Sequence, residues 1–342
     1  MAPSVDQTPL VSVVMPVYNA EQYLREAMES ILAQTYQHFE FIILNDGSTD
    51  SSKEIIDSYE DSRLVKVHHT TNMNYVVRLN EGLERAQGKY VARMDSDDIA
   101  HPDRFAKQVA FLEKNPDYGI CGSWFETINH PTESHVENYT AHEDLVLHLF
   151  DRVPFAHPSV MMRAQVLKEH RLEYSNDFAG TEDYHLWVRL SRVTKMANLP
   201  EHLLKYRFHE HQVSTLHADA QKKHTYNIRK SILSYWMETE ATDEMTAHML
   251  DIFWQGKDAL EVPIGQLQSW VYPLFLQRRK HQEVPLALLK DYFSAHWYRV
   301  SMMHKQEGLT VFRTFLKAPF HTYSQPQFWL RSAKLLVRTI LR

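Results

Sequence analysis

Tyr90-Val-Ala-Arg-Met-Asp-Ser-Asp-Asp98 is a short apolar-leaning run that ends in three carboxylates. It reads as a strand whose carboxyl end delivers Asp95, Asp97 and Asp98 to one point. Two like charges about 4 Å apart repel by about 4 kcal/mol at an effective dielectric near 20. The cluster therefore calls for a counter-charge. A hard divalent cation supplies it, and Mg2+ commonly takes one or two carboxylates together with substrate phosphates and waters. An acidic turn that caps the following helix through Asp97 or Asp98 would account for the same residues without a metal. Within this stretch both readings stand.

Working outward, Leu10-Val-Ser-Val-Val-Met15 is rich in β-branched residues and is followed by Pro16, which reads as a buried parallel strand. Residues 20–35 carry Tyr23, Leu24, Ala27, Ile31 and Leu32 at helical spacing. A strand is expected over Phe39–Leu44, a helix over Ser51–Tyr59, a strand over Leu64–His68 and a helix over Tyr75–Ala86. Four alternations of strand and helix imply a parallel sheet with helices on both faces. Ligands bind such sheets beyond the carboxyl ends of the strands. The turns 16–19, 45–50 and 95–98 all fall there and are expected to converge. Asp46, at a strand end, is placed to accept from a base N–H or a ribose hydroxyl. Turn chemistry at Asp46-Gly47, with Ser48 or Asp50 as a helix cap, is the competing account. No G-x-G-x-x-G follows the first strand and no G-x-x-x-x-G-K-[ST] occurs, which argues against a dinucleotide dehydrogenase and a P-loop NTPase.

The formal net charge of −6 argues against a general nucleic-acid binder. The charge is uneven: residues 308–342 hold six Lys/Arg and no Asp/Glu, so the rest of the chain is more acidic than the total. The single cysteine, Cys121, suits a reducing compartment. No signal peptide or roughly 20-residue apolar span is visible. The expectation is a cytoplasmic protein, peripheral at most on the inner face of the plasma membrane.

Val11-Ser-Val-Val-Met-Pro-Val-Tyr-Asn19, Asn45-Asp-Gly-Ser-Thr-Asp50, Asn80-Glu-Gly82 with Gly88–Asp98, and Glu182-Asp-Tyr-His-Leu-Trp187 together resemble the ordered motif set of family 2 glycosyltransferases. The resemblance covers roughly the first 210 residues. It implies a Rossmann-like GT-A domain over 8–215, α/β with a mostly parallel sheet, followed by a helical region over 216–342. It also implies an inverting enzyme of bacterial cell-surface polysaccharide synthesis. Such an enzyme moves a sugar from a nucleotide-diphosphate donor, a UDP-sugar by expectation, to a hydroxyl of a glycan or lipid-linked saccharide. The resemblance places Pro16, Tyr18, Asn19, Asp46, Asn80, Arg93, Asp95 and Arg207 against the donor. It makes Asp97 a ligand of Mn2+ or Mg2+ with His209 as a second metal residue, and leaves Asp98 a structural contact or helix cap. Asn45 departs from the family, many of whose members carry a second Asp there.

Glu182 and Asp183 are adjacent, about 100° apart on a helix, so usually one alone can face a cleft. An inverting displacement needs one base for the acceptor hydroxyl. By resemblance that base is Asp183, with Glu182 orienting it or binding acceptor. Favouring the positive helix N-terminus, worth about 0.3–1 kcal/mol per residue, would also explain the pair. His157 sits in a stretch, Phe155–Met162, that reads as a strand beside the site; a hydrogen-bonded structural role and contact with acceptor or phosphate are both open to it. His211 lies in the same string as Arg207 and His209. A sugar nucleotidyltransferase and a noncatalytic nucleotide-sugar sensor are the competing classes. The first has no use for Asp183, and the early glycine-rich basic loop it needs is missing.

Beyond residue 216 long helices are expected, with Tyr235, Trp236, Phe253, Trp254, Trp270 and Tyr272 as packing residues. The last helix, within 326–342, sets Trp329, Ala333, Leu336, Val337 and Ile340 on one face and Arg331, Lys334, Arg338 and Arg342 on the other. That pattern suits an anionic membrane surface or a helix packed by its apolar face.

Overall fold

A computed structural model describes residues 10–130, 132–209, 218–250, 252–253, 262–280 and 283–340. Trp254, His211, Arg342 and the expected boundary after residue 215 lie outside them. The chain forms two compact units. One runs to Leu145 and includes Val153–Thr225; the other joins Val146–Arg152 to Tyr226–Arg342.

The first unit is built on a sheet of β1 (Val11–Val17), β2 (Phe39–Asp46), β3 (Leu64–His69), β4 (Tyr90–Arg93), β5 (Ile99–Ala100), β6 (Tyr118–Ile128), β7 (His135–Val136), β8 (Met161–Arg163) and β9 (Lys195–Arg207). Its order is β3-β2-β1-β4-β8-β6-β9-β5, with β7 paired to β6. β3, β2, β1 and β4 are parallel. Helical crossovers join them: α1 (Leu24–Leu32), α2 (Ser52–Asp57) and α3 (Tyr75–Arg85). β8 then runs antiparallel to both β4 and β6. β1 is buried throughout, which is why it reads as a continuous apolar run rather than an alternating one.

Three expectations need correcting at their edges. β1 continues through Pro16 to Val17, because pairing with β4 has already stopped at Val14 and a missing N–H costs nothing on that side. α1 begins at Leu24, since residues 20–23 form a turn whose first two amides, of Ala20 and Glu21, go to Ser52 and Asp50. The segment 155–162 is not one strand: Pro158 opens a 3-10 turn at His157–Ser159, and extended structure resumes only at Met161. α3 sits directly on β1, because Gly82 has no Cβ to collide with Val14.

The remaining helices of this unit include α4 (Arg104–Lys114), α6 (Ala164–Glu169) and α7 (Glu182–Leu190), while α5 (His142–His148) spans the division. The second unit holds most of α8 (Ala218–Met237) and all of α9 (Asp243–Leu250), α10 (Ile264–Arg278), α11 (Leu286–Met303), α12 (Leu309–Leu316) and α13 (Pro326–Ile340). Its interior is aromatic: Phe253 stacks on Tyr292 at 5.4 Å, and Phe275, Phe293, Trp297 and Phe320 are buried. Asp151 is tied in by Tyr292 Oη at 3.0 Å. Trp236 and Phe253 are core residues, as their expected packing role requires.

Candidate active site

The turn after β4 brings one carboxylate oxygen each from Asp95, Asp97 and Asp98 within 4.8 Å of one another. Asp98 is buried, 1% exposed. Its Oδ1 accepts from the Arg207 amide at 2.8 Å, while its buried Oδ2 has no hydrogen-bond partner among the described residues. Burial, then the neighbouring Asp95 and Asp97, hold the Asp98 carboxyl well above the usual carboxylate range. Burial also raises Asp95, against the pull of the Arg93 guanidinium paired with it. Three hard oxygen donors, one of them orphaned, fit a divalent cation such as Mg2+ or Mn2+. The helix-cap alternative for Asp98 fails, because the next helix begins only at Arg104.

The end of β9 closes over this turn. His209 Nε2 lies 2.8 Å from Asp97 Oδ2, so the two residues expected at a metal do meet. Arg207 has partners of its own. Its Nε donates to the Asp97 carbonyl at 2.8 Å, its Nη2 to Glu26 at 2.5 Å, and its guanidinium lies 4.5 Å from the Tyr23 ring centroid. With these partners it braces the acidic turn. Beneath the cluster, Arg104 donates to the carbonyls of Arg93 at 2.8 Å and Val160 at 3.2 Å. Burial pushes its guanidinium down to about 9.

The other two turns meet each other. Asn19, at φ 48°, accepts from the Thr49 amide at 2.8 Å, and Ser48 Oγ accepts from the Asn19 amide at 3.0 Å. Asp50 accepts from the amides of Glu21 and Ser52, both at 3.0 Å, which is turn chemistry. Asn45 uses its amide within the turn, accepting from Ser48 N at 3.1 Å and meeting His68 at 3.2 Å. Pro16 is buried in β1, and Tyr18 stands 49% exposed at the rim.

Two residues expected to touch a donor already have partners. Asp46 is 2% exposed and accepts from Arg78 Nε at 2.6 Å and Met73 N at 3.0 Å, fastening the 71–73 loop to the end of β2. Asn80 gives both ends of its amide to the backbone of Tyr174, at 2.8 and 2.9 Å.

Glu182 and Asp183 form the first turn of α7. Tyr75 Oη donates to Glu182 Oε2 at 2.7 Å, and the Gly180 amide reaches both that oxygen and Tyr75 Oη. Glu182 is therefore anchored, its carboxyl raised by burial although Tyr75 opposes the rise. Among the described residues, Asp183 Oδ1 accepts from its own turn, at Tyr184 N, 2.6 Å. Burial first, and then the charge of Glu182, push its carboxyl from 3.8 up to about 7. His157 Nε2 meets Tyr174 Oη at 2.9 Å, and its Nδ1 lies 3.8 Å from Glu182. Burial, aided by Arg93, holds this imidazole well below its usual range, which favours the neutral ring.

Arg93 links the two acidic groups. It is paired with Asp95, and its charge also acts on Asp98, Glu182 and Asp183. The Tyr174 hydroxyl is likewise under the influence of Asp95, Glu182 and Asp183. Tyr75, Tyr174 and Arg104 went unnoticed in the sequence. Each acts through a partner distant in the chain, and of the three only Tyr75 carries a local cue, following Asn74, which caps α3 by accepting from Val76 N at 3.1 Å.

The parallel half-sheet thus ends in an acidic turn at its carboxyl edge, and α7 carries a carboxylate pair under the same Arg93 charge. Residues 12–171 match the profile of Glycosyl transferase family 2. An uncharacterized glycosyltransferase of Haemophilus influenzae is 35% identical over 328 residues, 92% of this chain and 98% of that one. The chain belongs to glycosyltransferase family 2. Among solved structures, S. aureus TarS 1-349 in complex with UDP-GlcNAc shares the fold at TM-score 0.57 and 17% identity, covering 89% of each chain. The mannosyltransferase PcManGT from Pyrobaculum calidifontis, in complex with GDP-Man and Mn2+, does so at 0.51 and 15%, covering 99% of this chain and 88% of that one.

Proposed function

We propose that this glycosyltransferase inverts the anomeric centre of a nucleotide-diphosphate sugar, with Asp183 as the base and Asp95, Asp97 and Asp98 as the anionic seat of a divalent cation. The proposal rests on the Asp183 carboxyl, pushed up to about 7 by burial and Glu182, and on Arg93, which pairs with Asp95 and whose charge also acts on Asp183. A base poised near the working pH is half ionised there and gains enough strength to take a proton from a hydroxyl. The acceptor oxygen bonds to the anomeric carbon while its proton passes to an Asp183 carboxylate oxygen. The bond from that carbon to the diphosphate oxygen breaks, and the diphosphate leaves with the electron pair. Mg2+ or Mn2+, when bound, neutralises charge on the diphosphate as a Lewis acid.

The chain's own residues set this up. Glu182, held by Tyr75 and Gly180, keeps Asp183 basic by its charge; Arg93 keeps Asp95 in place; His209 and Arg207 hold the Asp97 turn in position. The UDP-GlcNAc bound by TarS and the GDP-Man bound by PcManGT make UDP and GDP the first bases to test. A saccharide or lipid-linked hydroxyl is the acceptor class. The test is a screen of UDP-, GDP- and dTDP-sugars for nucleoside diphosphate release with Mn2+, Mg2+ or chelator, followed by NMR of the product anomer. Release that needs the cation, with product of inverted configuration, is expected. Retained configuration, or release of pyrophosphate, overturns the reading.

A further inference from the structure

α13 carries three separate faces where the sequence distinguishes two. Phe328, Ser332, Leu335 and Thr339 are buried, with Phe328 stacked on Phe315 of α12 at 6.0 Å. At about 100° per residue these four fall in one narrow arc. Trp329, Leu330, Val337 and Ile340 fall in another arc centred roughly 140° away, and they are 60%, 58%, 50% and 62% exposed. Lys334 and Arg338 are exposed and occupy a third arc beside the apolar one. The helix is therefore attached to its unit by a face of its own. The apolar face that the sequence identifies is left in water.

Single exposed apolar residues are unremarkable, but a continuous stripe on one helix marks a contact surface. Its neighbours say which kind. Residues 308–342 include six Lys/Arg and no Asp/Glu, and among the described residues neither Lys334 nor Arg338 is paired with a carboxylate. Trp329 gives its indole N–H to the Tyr323 carbonyl at 2.8 Å, so the ring itself is free to enter an apolar phase without stranding a donor. No helix of the described residues is long and apolar enough to cross a membrane. At about 1.5 Å per residue, fifteen residues reach only about 22 Å, which suits a helix lying in the plane of an interface.

We propose that α13 docks on an anionic lipid bilayer, with Trp329, Leu330, Val337 and Ile340 at the boundary of headgroups and acyl chains and Lys334 and Arg338 against lipid phosphates. A second copy of the chain fits less well, because two such faces would bring their basic arcs together with no acidic group in residues 308–342 to answer them. This docking does not rest on the chemistry proposed above.

The full chain is sedimented with phosphatidylcholine vesicles, with and without phosphatidylglycerol, at low and high salt. Binding is expected only to the phosphatidylglycerol vesicles and is expected to weaken with salt. Each basic residue near such a surface is worth about 1 kcal/mol, or about fivefold. Lys334→Gln with Arg338→Gln should therefore lower the partition constant about 25-fold, and Trp329→Ser with Ile340→Ser at least about tenfold. All four side chains are exposed, so melting temperatures should match the parent. If one pair disturbs folding, the other still decides. Absence of vesicle binding by the parent, binding unchanged in both variants, or a dimer that the Trp329/Ile340 variant turns into a monomer would each overturn the proposal.

Discussion

Replacing Asp183 with Asn should stop the reaction and make the protein more stable. The carboxyl is shifted from 3.8 to about 7, about three units at ~1.4 kcal/mol each, so ionised Asp183 costs the folded state about 4 kcal/mol relative to the unfolded chain. Below 3.8 both states hold the proton and there is no cost. Between 3.8 and 7 the unfolded chain has released its proton while the folded one keeps it, so stability falls as pH rises. Above 7 the loss is complete. Asn removes the ionisation and keeps an amide oxygen for the Tyr184 N–H, which Asp183 now accepts at 2.6 Å. The variant's gain should therefore grow between pH 6 and pH 8 by about 1 kcal/mol. At about 2–4 °C per kcal/mol for a domain of this size, that is a few degrees in differential melting temperature. Catalysis should fall by about 10²–10⁴, the usual worth of a general base. Thermal melts of parent and variant at the two pH values, beside nucleoside diphosphate release, read both effects. A variant gain that is the same at pH 6 and pH 8 would refute the burial argument, and retained turnover would remove Asp183 as the base.

Tyr75→Phe takes the hydroxyl donor from Glu182, whose carboxyl then rises further and repels Asp183 less; the acidic limb of the kcat profile should move to lower pH by up to about one unit, and an unmoved limb would show that Glu182 does not set Asp183. Asp46→Ala strands much of the buried Arg78 charge, which is left with Glu81 at 2.7 Å, so a loss of about 3–5 kcal/mol in urea unfolding is expected. Full stability with a large rise in donor KM would return Asp46 to the donor. Asn80→Ala should cost about 1–3 kcal/mol through the Tyr174 backbone groups it leaves unpaired, with donor KM unchanged; the opposite pattern would show that Asn80 touches the donor.

What was legible in the sequence is what repeats locally. The run 10–15, the alternating crossovers and the three polar turns at strand ends follow from periodicity and turn chemistry, and they place the acidic cluster at the right edge of the sheet. The antiparallel entry of β8 between β4 and β6 was not legible, because Met161–Arg163 is three residues long and its partners lie some forty to seventy positions upstream. Side-chain commitments escaped for the same reason. Nothing around Asp46 announces that Arg78 will consume it, nor does anything around Asn80 point to Tyr174. In α13 the pattern was visible but the attachment was not: the helix is held by Phe328 and Leu335, so its most amphipathic face is turned outward.

The central claim is a division of labour between the acidic turn and the pair on α7. It is tested most directly by calorimetry of nucleoside diphosphate binding, using the base selected by the donor screen, with Mn2+ and with chelator. The parent and Asp183→Asn should bind alike and only with the cation, whereas Asp97→Asn should lose at least about tenfold in affinity, and transfer should fail in both variants. Cation-independent binding by the parent, or full affinity in Asp97→Asn, would contradict the account.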